Sequence, residues 1–266
     1  MTIVDSHAHA TPSWFEPVES LVGQMDRHGV EHAVLVQING QTDNGYQREA
    51  VRRFPGRFAS VVMVNTADAS ATEHLKREAD IGACGVRLHP DTRSPGRDPL
   101  HIWHTAAQLG LSVSCGGMTA AEFATEEFAR LIATLPDVRI VLEHLGGGVA
   151  PVASAEALEE RRKVFALARF PNVYMKVHGL GEFCRRALPV REPFPFERPI
   201  PPLLDMALEA FGAERLMWGS DYPLVSAREG YGNALSFVRQ QFAGLAPAQQ
   251  DLVFGQVALR LFPVVR

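Results

Sequence analysis

Two histidines stand two residues apart in Val4-Asp5-Ser6-His7-Ala8-His9-Ala10. Imidazoles at this spacing can share a metal ion, act as a catalytic pair, or simply be polar residues leaving a strand. Further ionisable groups stand at the ends of later apolar runs. Arg87 and His89 lie in "GVRLHP", with Arg93 just beyond; His144 ends "IVLEH"; Lys176 and His178 lie in "VYMKVH"; Asp221 follows "RLMWGS". These side chains suit metal or substrate binding, and a guanidinium can hold an anion. Taken singly, each has an ordinary explanation: a core histidine satisfied by backbone, or an Asp capping the turn before Pro223. Arg87 and Lys176 are harder to explain that way, because a cation in an apolar strand needs a partner.

The elements that would carry these groups follow from hydrophobic patterning. Strands are predicted at Ile3–His7, His32–Ile38, Phe58–Val64, Cys84–His89, Leu111–Cys115, Arg139–His144, Asn172–His178 and Arg215–Ser220. Between them lie amphipathic stretches, such as Val18-Leu21-Val22-Met25, Phe128-Leu131-Ile132-Leu135 and Leu158-Val164-Phe165. Strand alternating with helix implies βαβ units and a parallel sheet. Eight units in 266 residues match a single α/β domain, a (β/α)8 TIM barrel spanning 1–266 with some distortion. A doubly wound open sheet is the rival, but no glycine-rich phosphate turn follows the first strand. The proline-rich stretch Gly179–Pro202 is expected to be a long loop after strand 7, and the segment from Ala246 onward a closing helix. In a barrel, strand ends converge on one pocket. Titratable groups near the ends of strands 1, 4, 6, 7 and 8 therefore point to one active site.

Composition narrows the class. The formal net charge is −4, and no Lys/Arg run would favour nucleic acid or an anionic membrane. No apolar stretch reaches the length of a spanning helix, and the N-terminus lacks the pattern of a signal peptide. Cys84, Cys115 and Cys184 are odd in number and widely spaced, which suggests free thiols in a reducing compartment. The expected setting is cytoplasmic and the expected partner a small-molecule substrate, with self-association left open.

The motifs "VDSHAH", "GVRLHP", "VLEHLGG" and "MWGSDYP", in this order, resemble the amidohydrolase-related group of TIM-barrel hydrolases. The resemblance spans nearly the whole chain. It implies catalytic roles for His7, His9, His144 and Asp221, and substrate contacts from Arg87, Arg93, His89, Lys176 and His178. Two departures bear on metal. Binuclear members carry a lysine at the end of strand 4, where this chain has Arg87 and His89. Many others carry a histidine at the end of strand 5, where this chain reads "VSCGGM". His7, His9 and Asp221 remain as ligands for one divalent metal such as zinc, with Cys115 either a replacement ligand or a small buried residue lining the pocket. The retained set looks most like the branch of 2-pyrone-4,6-dicarboxylate lactonase and the sugar lactonases, in which hydrolysis needs no metal. The favoured expectation is therefore a lactonase without a required cofactor. In it, Asp221 activates water, the histidines polarise the carbonyl, and Arg87 and Arg93 hold a substrate carboxylate. Arg185, Arg186 and Arg191 are candidates for a further substrate arginine. The alternatives are a zinc-dependent decarboxylase or hydratase of the same group, and a ligand-binding barrel without catalysis.

Overall fold

The computed structural model describes residues 1–148, 151–152, 154–191 and 196–264. Its eight strands are β1 (Val4–Ala8), β2 (His32–Val36), β3 (Phe58–Val62), β4 (Gly85–Leu88), β5 (Ser112–Cys115), β6 (Ile140–Leu142), β7 (Val173–Val177) and β8 (Leu216–Trp218). They form one parallel sheet in the order of the chain, with helices between, which is the (β/α)8 barrel that the patterning predicts. β1 is shifted on by one residue, and the other seven strands are shorter than predicted, most often at their C-terminal ends. His89, His144, His178 and Asp221 consequently stand in the turns beyond β4, β6, β7 and β8. In a turn, strict alternation of side chains no longer sets direction.

Within the strands alternation holds, and it sorts the core into two layers. Ala33, Leu35, Phe58, Val62, Val113 and Cys115 pack in the large outer core with the helices. Val34, Val36, Ala59, Val61, Val141 and Met217 fill the barrel interior together with Val257, Leu261 and Phe262. Val257 and Leu261 belong to the C-terminal helix, Pro247–Leu261, and Phe262 follows it directly; the helix carries a wide turn at Leu252–Gln256 and plugs the N-terminal end of the barrel. The other helices also have physical starting points. The Thr125 side chain accepts from the Phe128 N–H, and Ser154 from the Ala157 N–H, capping Glu126–Thr134 and Ala155–Phe165. Each helix then buries its predicted apolar face, through Phe128, Leu131 and Ile132 in the first and Val164 and Phe165 in the second.

β1 and β8 close the barrel at a seam. The Asp221 N–H donates to the His7 carbonyl at 2.8 Å, and the His9 N–H donates to the Tyr222 carbonyl at 2.7 Å. Beneath these bonds lies Asp5, fully buried. Its carboxylate accepts from the Ser220 N–H (2.8 Å), the Ser220 hydroxyl (2.6 Å) and the His7 N–H (3.1 Å). Gly219 permits the approach, since a Cβ there would stand 2.8 Å from the His7 Cβ. The stretch after β7 opens with a short 3-10 turn, Leu180–Glu182, and among its described residues forms only an isolated bridge between Arg186 and Phe196. Residues 192–195 of the predicted loop lie outside the described residues.

Asp5→Ala would orphan three buried donors at the seam. We expect it to lower the free energy of unfolding by about 3 kcal/mol, read from urea denaturation, because a buried unsatisfied donor costs roughly 1–3 kcal/mol. A loss under about 0.5 kcal/mol would show that Asp5 does not hold the seam.

Candidate active site

Inside the barrel, beneath its C-terminal mouth, a ladder of polar groups links four strands. Arg87 on β4 donates to Glu143 just past β6, with Nη2 to Oε2 at 2.7 Å and Nε to the same oxygen at 3.1 Å. Its Nη1 donates to the Gln37 carbonyl at 2.9 Å. Ser114 on β5 donates its hydroxyl to Glu143 Oε1 at 2.7 Å and receives Lys176 Nζ of β7 at 2.8 Å. Lys176 Nζ also lies 3.0 Å from His7 Nδ1. His7 Nε2 stands 3.2 Å from His9 Nε2, and His9 Nδ1 lies 2.7 Å from the Val36 carbonyl. A carbonyl can only accept, so His9 Nδ1 carries the proton and its Nε2 offers a lone pair. Burial would raise the Glu143 pKa, but Arg87 and Lys176 outweigh it and hold it at about 2. Burial pulls Lys176 down to about 8. Burial, and then Lys176, push His7 well below the usual imidazole range.

A second group surrounds Asp221, which has a left-handed backbone (φ 60°). Its Oδ2 accepts from Arg228 Nη2 at 3.0 Å. Its Oδ1 is buried without a hydrogen-bond partner among the described residues. That oxygen lies 3.6 Å from His9 Nε2 and 3.8 Å from His7 Nε2. His144 Nδ1 bonds to Glu182 Oε1 at 2.7 Å, and Arg228 Nη1 donates to the same oxygen at 3.2 Å. Burial opposes charge on His144, but Glu182 and Asp221 outweigh it and raise its pKa. Burial likewise opposes charge on Asp221. His144, contact with His9, and Arg228 still hold that carboxyl well below the usual range. His144 is aimed by an unusual turn, in which His144, Leu145, Gly146 and Gly147 all have positive φ (53°, 53°, 78° and 101°). A Cβ at Gly147 would come within 2.3 Å of the Thr119 backbone. Arg161, buried in the helix after β6, donates to the Leu145 carbonyl at 2.6 Å and to the Gly147 carbonyl, locking the turn.

Above these groups opens a cavity of about 530 Å³. His9, His144, Asp221, Arg87, Glu182 and Arg228 line it, and Trp14, Phe15, Met118 and Leu224 border it. The structure thus gathers His7, His9, His144 and Asp221 as the sequence predicts. Lys176 and His178 are nearby but fully buried below the cleft, with His178 stacked on His144 at 4.3 Å. Arg87 reaches the cleft already paired with Glu143. His89 and Arg93 do not reach it. β4 ends at Leu88, so His89 turns away to Asp91 and Glu122, and Arg93 pairs with Glu127. Cys115 packs in the outer core and Ser114 points inward, so Cys115 neither lines the pocket nor reaches His7. The loop arginines also stay away. Arg185 lines a separate cavity, Arg186 donates to the Ala227 and Arg228 carbonyls, and Arg191 does not line the cleft. Asp5, Ser114, Glu143, Arg161, Glu182 and Arg228 are contributions that the sequence reading missed. For Glu143 a signal existed, because Arg87 in an apolar strand requires an anion.

Among the described residues, three overlapping groups are close enough to share an ion (His7, His144 and His178; His7, His9 and Asp221; His144, Glu182 and Asp221), and the second fits a divalent metal. His7 Nε2, His9 Nε2 and Asp221 Oδ1 are 3.2, 3.6 and 3.8 Å apart, and two nitrogen ligands of one tetrahedral zinc stand about 3.3 Å apart. The orphaned Asp221 oxygen and the Val36 bond that turns the His9 lone pair inward are what such a site needs. One contact opposes it. While Lys176 is an ammonium, His7 Nδ1 must accept, so the His7 proton sits on Nε2 and points at His9. The strand-5 position is closed as well, since a Cβ at Gly116 would lie 2.6 Å from Glu143 Oε2. We therefore expect zinc affinity, measured by calorimetry, to rise from pH 7 to pH 9 as Lys176 passes its pKa of about 8. Lys176→Met should raise the affinity at pH 7 by about tenfold. Unchanged affinity in both experiments would show that Lys176 does not set the His7 tautomer.

Comparison with known proteins agrees with this architecture. The amidohydrolase family model matches residues 5–264. The chain is 32% identical over 138 residues to an L-fucono-1,5-lactonase of Burkholderia ambifaria, covering 49% of this chain and 43% of that one. It is 27% identical over 215 residues to a 4-sulfomuconolactone hydrolase of Rhizobium radiobacter, covering 78% of this chain and 66% of that one. Each of these relatives is therefore matched over only part of its length. Among solved structures, an amidohydrolase of Burkholderia multivorans superimposes with a TM-score of 0.81 at 20% identity, over 99% of this chain and 100% of that one. A zinc-bound form of that amidohydrolase gives 0.78 at 21% identity, over 99% and 100%. A probable 2-pyrone-4,6-dicarboxylic acid hydrolase of Acinetobacter baumannii gives 0.72 at 21% identity, over 98% and 99%. With the family motifs on one barrel rim and the family model matching nearly end to end, this chain belongs to the amidohydrolase family.

Proposed function

We propose that this protein is a hydrolase that opens a small lactone ring. The observation that carries the reading is the buried, unpartnered Asp221 Oδ1, which faces the cleft beside two histidines. The relatives named as lactone hydrolases support the substrate class. In the proposed reaction, water stands against Asp221 Oδ1, which takes its proton as the water oxygen attacks the lactone carbonyl carbon. Asp221 is an intrinsically weak base, so its contribution rests on position and on staying ionised at neutral pH. Arg228 is a positioning residue; it holds Oδ2 and leaves Oδ1 to the water. His144 carries its Nδ1 proton toward Glu182, and its Nε2 is assigned to the developing oxyanion. As the ring carbon–oxygen bond breaks, the alkoxide leaves with the His144 Nε2 proton. His7, His9 and Asp221 would hold a divalent metal such as zinc, which when bound supplies a Lewis acid for the carbonyl and a more acidic water. An ester is electrophilic enough for histidines alone to serve, and the ammonium of Lys176 at His7 favours that version at neutral pH.

Asp221→Asn is the direct test. Asn tolerates a left-handed backbone, so the fold should survive while turnover of a lactone falls about a thousandfold. Retained turnover would remove Asp221 as the base, and carbon dioxide release in place of ring opening would favour a decarboxylase. The same assay run with chelator decides the cofactor, since activity lost to chelator and restored by zinc would sink the metal-free version.

Glu182→Gln tests His144. Glu182 raises the His144 pKa, so its removal lowers that pKa. The alkaline limb of kcat, where His144 loses its proton, should move to lower pH. An unmoved limb would exclude His144 as the acid.

A further inference from the structure

Resting on the lactonase reading, the cleft makes a more specific statement about substrate. No described arginine or lysine on its walls lacks a carboxylate partner. Among the described residues, Arg87 and Arg228 are the only arginines or lysines that line it. Arg87 spends Nη2 and Nε on Glu143 and Nη1 on the Gln37 carbonyl. Arg228 spends Nη2 on Asp221 and Nη1 on Glu182; its Nε is buried 3.8 Å from Glu229 Oε2 and makes no hydrogen bond among the described residues. Lys176, below the floor, is held by Ser114 and His7. The charged groups facing this floor are therefore Asp221, Glu182, Glu143 and Glu229 against Arg87, Arg228 and Lys176, with His144 between them. A substrate carboxylate would have to displace a buried carboxylate from its arginine, or sit beside Asp221 and Glu182 with only His144 to face it, and either is costly.

The rim has the opposite character. Trp14, Met118 and Leu224 are 66%, 52% and 44% exposed, and all three border this one cleft. Phe15 stacks on Trp14 (5.0 Å between centroids, 20° between planes) and lies 5.7 Å from the His9 ring, so an apolar wall runs from the solvent edge to the floor. Large apolar side chains left in water around a cavity mouth mark a ligand contact. We infer that the cleft takes an uncharged lactone bearing an apolar substituent, with its carbonyl on the polar floor and the substituent against Trp14, Met118 and Leu224. This differs from the carboxylated substrate that Arg87 and Arg93 suggest in the sequence.

The test is kcat/KM on three lactones of one ring size: δ-valerolactone, δ-decalactone with its alkyl tail, and a ring-carboxylated δ-valerolactone. The decalactone should exceed valerolactone by about tenfold or more, the worth of a methylene or more in an apolar site. The carboxylated ring should fall about a hundredfold below the decalactone. Trp14→Ala should cost decalactone about tenfold more than valerolactone. Glu143→Gln, which frees Arg87, should raise the carboxylated ring relative to decalactone. If Glu143→Gln does not fold, the Trp14 comparison still decides. A carboxylated ring turned over as well as decalactone, or equal losses on both neutral lactones in Trp14→Ala, would overturn the inference and leave the lactonase reading standing. Failure to open any of the three rings would overturn the lactonase reading, and this inference with it.

Discussion

A carboxylate buried at the centre of a barrel has to be answered from several strands at once, and the interior of this protein is arranged around that requirement. Glu143 is fully buried and ionised, and water cannot reach it to share the charge. β4 supplies the guanidinium of Arg87, β5 the hydroxyl of Ser114, and β7 the ammonium of Lys176 one step further away. A buried cation left over from such a set would be as costly as a buried anion, so the members hold one another in place. The same ladder sets the proton on His7 and closes the strand-5 position against a side chain. The identity of Gly116 and the tautomer of a histidine on the far strand therefore have one cause.

The cleft above inherits this neutralised floor. Its second arginine, Arg228, repeats the solution at the loop level, spanning Asp221 and Glu182 with one guanidinium. Asp221 stays ionised because three positive or partly positive neighbours outweigh its burial. The two carboxylates beside His144 raise its pKa despite burial. Two neighbouring groups are thus pushed toward opposite charge, the arrangement that separates a base from an acid within one site.

Much of this is legible in the sequence, and the limits have physical causes. The eight strands show because β-branched runs recur at barrel spacing. His7, His9, His144 and Asp221 show because each stands just after such a run. Arg87 and Lys176 are correctly turned inward by alternation, but alternation carries no depth, so a buried network reads like a substrate contact. His89 and Arg93 are misplaced because β4 stops at Leu88 and period-two reasoning ends with it. Glu182 and Arg228 sit in irregular segments where no periodicity points anywhere. Arg161 is hidden in "AEALEERRKVF", a charge-rich helix that looks solvated, and only the fold reveals that its guanidinium is buried against the turn carrying His144.

The seam at Asp5 has a consequence in time. The carboxylate of residue 5 and the backbone of residue 220 are separated by 215 residues of chain. At a synthesis rate of roughly 5–20 residues per second, β1 waits on the order of ten seconds or more for the strand that completes it. Until then His7 and His9 lack Asp221 beside them, and one edge of β1 lacks its partner strand. Closure of the ring and the meeting of Asp221 with His7 and His9 are therefore one event.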